Sequence, residues 1–197
     1  MDGWLEIVLR QFILYSIPVL ISLTLVTLLE SALSKKPIPH PFFAIGWAGT
    51  WFPWVASTLF TRGIIIALPQ PLTTGSGSAL LRLLAHIILC GIGYLLYSWS
   101  LNHPPATGLP PLHHWWAKLF MFFNLCMAGM HLLPLPGQWA GELLLNSKWV
   151  SEIQRQIIHQ HPALIHALMA ATPLLDWSVG GIVIFPVYEK LSNLAGI

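Results

Sequence analysis

The length of its apolar runs limits most strongly what this chain can fold into. From Phe12 to Leu33 the sequence is apolar apart from Tyr15, Pro18, a few hydroxyls and Glu30. Roughly 20 helical residues at about 1.5 Å each cover the ~30 Å hydrocarbon core of a bilayer. Ala79 to Trp99 repeats the pattern, with Arg82 near one end and His86 one turn further in. Soluble domains carry about a quarter of their residues as charges, whereas here 8% are charged and 55% hydrophobic. The runs predict an all-α integral membrane protein in one domain over residues 1–197. The chain starts Met1-Asp2-Gly3-Trp4-Leu5-Glu6, acidic where a signal peptide is basic, so the first helix is expected to stay in the mature protein.

Further spans follow from the same criterion. Residues 115–133 form one and 162–188 another, the latter interrupted by Pro173, Asp176, Gly180 and Gly181. Residues 42–60 are long enough to cross but contain Gly46, Gly49, Pro53 and the tryptophans Trp47, Trp51 and Trp54. Tryptophan prefers the interface, and broken backbone survives at membrane depth only where protein covers it. This stretch therefore reads either as a span or as a re-entrant segment, giving four to five transmembrane helices. Residues 141–161, with Lys148, Glu152 and Arg155 opposite Trp149, Ile153, Ile157 and Ile158, read as an amphipathic helix outside or along the bilayer.

The basic residues bear on orientation. If 42–60 crosses, Arg10, Arg62, Arg82, Lys148 and Arg155 oppose Lys35, Lys36, Lys118 and Lys190, which leaves no bias. If it turns back, Lys35, Lys36, Arg62, Arg82, Lys148 and Arg155 share a side against Arg10, Lys118 and Lys190. The second arrangement is better biased and favours four spans plus a re-entrant segment, with the loop after the first helix in the cytoplasm. A net charge of +2 on singly spread basic residues gives no nucleic-acid surface. Cys90 and Cys126 lie in apolar runs without metal or redox spacing and read as small buried hydrophobes.

One segment has a recognisable pattern. From Asn124 through His131 an apolar helix runs into Leu132-Leu133-Pro134-Leu135-Pro136-Gly137-Gln138-Trp139-Ala140-Gly141-Glu142. Pro134 and Pro136 each lack an N–H and fix φ, so the helix must stop or kink there. This run resembles the second signature of the site-2 protease family of intramembrane zinc metalloproteases, roughly N-L-x-x-A-x-x-N-L-L-P-x-P-x-L-D-G-G. Asn124, Leu125, Ala128, Leu132, Leu133, Pro134, Leu135, Pro136 and Gly141 match it. His131 stands for the second asparagine, and Trp139 stands where the family has the aspartate that is its third zinc ligand. The family's first signature, H-E-x-x-H, supplies two zinc histidines and a glutamate base. It is absent here, and its best counterpart places Thr27, Leu28 and Ser31 at those positions. A hydroxyl and an aliphatic side chain do not hold zinc.

The remaining polar residues give weaker leads. His131, Glu142 and Asp176 are the candidates for a replacement metal site. The plainer expectation is that the His131 ring N–H caps freed carbonyls and Glu142 starts the next helix. Asp176 inside a span is costly and reads as functional, with Asn124, His86 or His166 as partners. His86, His131 and His166 on three presumed spans allow a haem reading. The reading adopted assigns no cofactor, with zinc and haem as alternatives. It is a non-catalytic multi-pass protein on a site-2-protease-like scaffold, an adaptor, assembly factor or subunit that binds the lipid bilayer and other membrane proteins. Its expected location is the bacterial inner membrane. The alternatives are a small redox or transport subunit with a haem or proton path through His86, Asn124 and Asp176, and a divergent intramembrane metalloprotease.

Overall fold

The computed structural model describes residues 2–35, 37, 45–61, 63–70, 72–103 and 111–196, in which all regular structure is helical. Helix α1 (Asp2–Leu33) contains Pro18, which leaves the Leu14 carbonyl without its usual donor. Val19, Ser22, Leu23, Val26, Thr27 and Glu30 recur at helical spacing and are buried, while Ile13, Ile17, Ile21 and Leu33 face outward. A π-helical turn (Trp47–Trp51) leads into α2 (Phe52–Phe60). The long α3 (Ser76–Asn102) and α4 (Leu112–Met130) follow. Two helices, α1 and α3, contain stretches long and apolar enough to cross a membrane, and at most 39% of either stretch is buried within the protein.

Helix α4 forms the centre. Every residue from Phe120 to Met127 is buried, as suits a helix enclosed on all sides. It packs on α1, on α3 and on a π-helical stretch, Asp176–Ile184. The α3 contact is closest at Gly93, where an added Cβ would lie 2.7 Å from the Met121 backbone nitrogen. Small residues allow such backbone approach between helices.

Of the stretch 42–60, residues 47–60 form a short helical segment. The five-residue turn and nine-residue α2 reach about 21 Å at ~1.5 Å per residue. The chain then returns in extended form, with Ile64, Ile65, Ile66, Ala67 and Leu68 all buried. The Leu68 N–H donates to the Gly49 carbonyl at 3.1 Å. Thr50 Oγ1 donates to the Leu68 carbonyl at 2.8 Å, and the Ile66 N–H donates to Ser57 Oγ at 3.0 Å. Hydroxyls on the π-helical turn and on α2 thus supply partners to the backbone of the returning segment. Residues 42–44 of the expected span lie outside the described residues.

Two other expectations are corrected. Residues 141–161 are not one helix. They divide into α5 (Trp139–Leu145) and α6 (Glu152–Gln160), because Ser151 caps α6 in a reciprocal capping box with Gln154. Glu142 in α5 is fully buried, so only α6 has the expected surface character, with Ile153 and Ile157 outward. The stretch 162–188 is likewise broken. Helix α7 (Pro162–Ala170) ends at Ala171, and the chain resumes beyond Pro173 in the π-helical stretch and α8 (Phe185–Ala195). Proline cannot continue a helix whose preceding turn needs its N–H.

The close α3–α4 contact yields a test. Gly93→Leu is expected to cost about 1–3 kcal/mol through overpacking, read as a lower melting temperature in detergent. Gly91→Leu, whose Cβ would meet nothing within 4 Å, should change stability by less than about 0.5 kcal/mol. Equal effects at the two positions would contradict the packing described.

Candidate functional site

The Pro/Gly turn after α4 gathers a chain of buried polar groups, starting with α4 itself. Asn124 is fully buried. Its amide donates to Ser22 Oγ and to the Phe120 carbonyl, each at 2.8 Å, so its oxygen accepts from His86 Nδ1–H at 2.8 Å. This joins α1, α4 and α3 in one line and assigns the His86 tautomer. The His86 and His131 rings lie 6.0 Å apart by centroid.

At the turn, His131 acts opposite to the sequence expectation. Its Nδ1 accepts from the Trp139 N–H at 3.1 Å, and its own carbonyl accepts from the Ala140 N–H at 3.0 Å. It therefore satisfies two of the first amides of α5 and caps no freed carbonyls. Gly141, the last matched position of the motif, lies against the Leu135 carbonyl, where a Cβ would clash. Gln138 is buried and its amide nitrogen lies 2.9 Å from His166 Nε2. The His166 Nδ1–H donates to the Pro162 carbonyl at 2.7 Å, so Nε2 accepts from Gln138.

The strongest charge in the site escaped the sequence reading. Arg82 is 2% exposed and lies 3.0 and 3.1 Å from the two carboxylate oxygens of Glu30 through Nη1. The same nitrogen donates to Thr73 Oγ1 at 2.7 Å, and Nη2 donates to the Gly137 carbonyl at 2.7 Å. Thr73 in turn donates to Glu30 Oε1. A signal was present in the chain. Glu30 lies three residues before the end of the first predicted span and Arg82 three residues after the start of the span 79–99, so antiparallel helices bring them to equal depth.

Glu142 does not begin an exposed helix. Its Oε2 accepts from the Gly75 N–H at 2.7 Å, its Oε1 accepts from the Gly137 N–H at 2.8 Å, and His159 Nε2 lies 2.9 Å from Oε1. Gly75 and Gly137 have φ of 105° and 76°, values that glycine adopts without strain. One carboxylate thus ties the segment before α3 and the turn after α4 to α6.

The positions equivalent to zinc ligands do not suit a metal. Thr27 Oγ1 donates to its own helix at the Leu23 carbonyl, 2.8 Å away. Trp139 has no ligating atom, Ser31 is a hydroxyl buried on the same helix, and Leu28, at the place of the glutamate base, is aliphatic. Among the described residues no three His, Cys, Asp or Glu side chains converge in a way that could hold a metal ion. Asp176 is half-buried at the first position of the π-helical stretch, and Cys90 and Cys126 are buried free thiols. Comparison with protein-family models, curated proteins and solved structures finds no match to this chain.

Removing one partner of a buried ion pair costs about 3–5 kcal/mol. Arg82→Met and Glu30→Leu are each expected to destabilise by that amount. The double variant should cost less than the sum, because neither charge is then stranded. A double-mutant cycle by thermal or denaturant unfolding measures the coupling. Additive effects would show that the pair does not organise the site.

Proposed function

We propose that this chain is a non-catalytic multi-pass membrane protein on a site-2-protease-like scaffold, an adaptor, assembly factor or subunit that binds other membrane segments. One observation carries this reading. A single guanidinium spans from Glu30, at the end of α1 that aligns with H-E-x-x-H, to the Gly137 carbonyl in the motif turn. The two signatures of the family must meet to share a metal, and here the corresponding segments meet around a fixed cation. Arginine carries a permanent charge and a planar fork of donors suited to such bridging, but it has no open coordination position with which to activate water.

The distribution of polarity supports the membrane part. Ser22, Thr27, Glu30, Arg82, His86, Asn124, His131 and His166 are buried, while Ile13, Ile17, Ile21, Ile87, Ile88 and Leu95 are outside. Polar groups inside and aliphatic groups outside suit a hydrocarbon surround. The membrane is the bacterial inner membrane. The returning segment 47–68 is re-entrant, and the spans are those around α1, α3, α4 and the π-helical stretch with α8.

A second reading, a redox or transport subunit, draws on the Ser22–Asn124–His86 line and its 6.0 Å approach to His131. Purified protein tests both. The non-catalytic reading expects no stoichiometric zinc and no change in metal content on His131→Ala. One zinc per chain, lost in His131→Ala or Asp176→Asn, would overturn it. A haem absorption band would transfer the argument to the second reading.

A further inference from the structure

A groove of about 540 Å³ opens between α1 and α3. Its α1 wall runs from Ile17 to Leu25 and its α3 wall from Leu89 to Trp99, with Phe120 and Trp116 of α4 in the floor. At ~1.5 Å per residue the walls are about 12 and 15 Å long. The closed end lies at Leu25 and Leu89, in the small cluster that holds Val26, Ala85 and Phe120 together. The other end is a collar of aromatic and imidazole rings. Trp99 stacks on His103 with centroids 4.8 Å apart, and the His113 ring lies 6.2 Å from Trp99.

We propose that this groove holds one acyl chain of an anionic phospholipid, with the phosphate at the ring collar. Size and charge both point to this occupant. The walls are at most half of the ~30 Å that a membrane-crossing helix spans, so such a helix would leave most of its length outside the groove. An acyl chain is one methylene wide and fills it lengthwise. The wall residues between Ile17 and Leu25 and between Leu89 and Leu96 that line the groove are apolar, which suits a hydrocarbon chain. At the collar, His113 and the indole N–H groups of Trp99 and Trp116 are donors, while the His103 ring donates to the Trp99 carbonyl at 2.9 Å, and Arg10 is exposed two turns beyond Ile17 on α1. No carboxylate occurs between Arg10 and Glu30, or from Ser76 to Gln138, so neither wall nor floor repels a phosphate. Asp2 and Glu6 lie further along α1, the nearer about 16 Å from Ile17 along the axis. Tryptophan and basic residues at headgroup depth suit this placement.

The proposal rests on the membrane reading and is independent of the protease likeness. Delipidated protein is titrated with palmitoyl-oleoyl phosphatidylglycerol or phosphatidylcholine and bound lipid is read by native mass spectrometry. One phosphatidylglycerol per chain should be retained at least tenfold more tightly than phosphatidylcholine. Ile21→Trp and Ile92→Trp fill the groove from wall positions that are 47% and 44% exposed, so folding is kept, and each should weaken retention about tenfold. His113→Glu should abolish the headgroup preference, and Ile13→Trp, outside the groove, should change nothing. Equal retention of the two lipids, or retention unchanged in Ile92→Trp, overturns the proposal. A dimer that Ile92→Trp dissolves would identify a second copy as the occupant and also overturn it. Recovery of the chain in the soluble fraction would instead refute the membrane reading.

Discussion

The buried Glu30–Arg82 pair is the contact on which the arrangement of the other elements depends. Taking a carboxylate and a guanidinium out of water costs several kcal/mol each. Coulomb attraction offsets this only when the remaining donors and acceptors are also matched. Here they are. Glu30 accepts from Arg82 and Thr73, and Arg82 reaches both the carboxylate and the Gly137 carbonyl. Because the donors of one guanidinium diverge in a fixed plane, α1, α3 and the turn have a single relative placement that satisfies them all. A slip of α3 by one residue would rotate Arg82 about 100° off the seam.

A second carboxylate extends the same logic on the other side of the turn. Glu142 is held by two backbone amides from glycines whose positive φ points those N–H groups inward. Gly137 thus serves both acids, its carbonyl bound to Arg82 and its amide to Glu142. The Pro/Gly turn is thus held by side-chain acceptors in addition to short backbone bonds such as Leu133 N–H to the Met130 carbonyl and Gln138 N–H to the Leu135 carbonyl. Pro134 and Pro136 remove donors, His131 and Glu142 supply acceptors to the donors that remain, and the balance leaves the backbone of the turn satisfied.

The all-helical class and the two long apolar helices were legible because apolar runs of that length leave few alternatives. Phe12–Leu33 was read with the bounds at which the apolar stretch is found. The breaks were harder. Hydropathy reports where a chain is apolar and not where its backbone bonds change partner, so 141–161 looked continuous across Ser151, whereas Pro173 already marked an interruption within 162–188. The return at Ile64–Leu68 depends on Thr50 and Ser57 as substitute partners, a pairing that no periodicity reveals. In the site, the motif placed His131, Trp139 and Gly141 together, but it did not give the direction of the His131 hydrogen bond. That direction follows from which amides α5 leaves open. Arg82 and Glu30 were each noted and left unjoined, since pairing them requires both depth and rotation about two helix axes.

On the proposed reading, what separates this turn from a catalytic one is the kind of cation beside it. A metal ion in such a position organises ligands from several segments and also keeps one place for water, whose proton it makes easy to remove. A guanidinium performs the first task alone. Its nitrogens at the seam are committed to Glu30, Thr73 and Gly137. On the proposed reading the chain keeps the junction that a shared metal would impose and gives up the reaction, since a saturated cation holds segments together without polarising a substrate. Selection on such a protein would act on the shape that the junction maintains. That shape includes the groove between α1 and α3, whose width is set by where the Glu30–Arg82 pair pins the two helices.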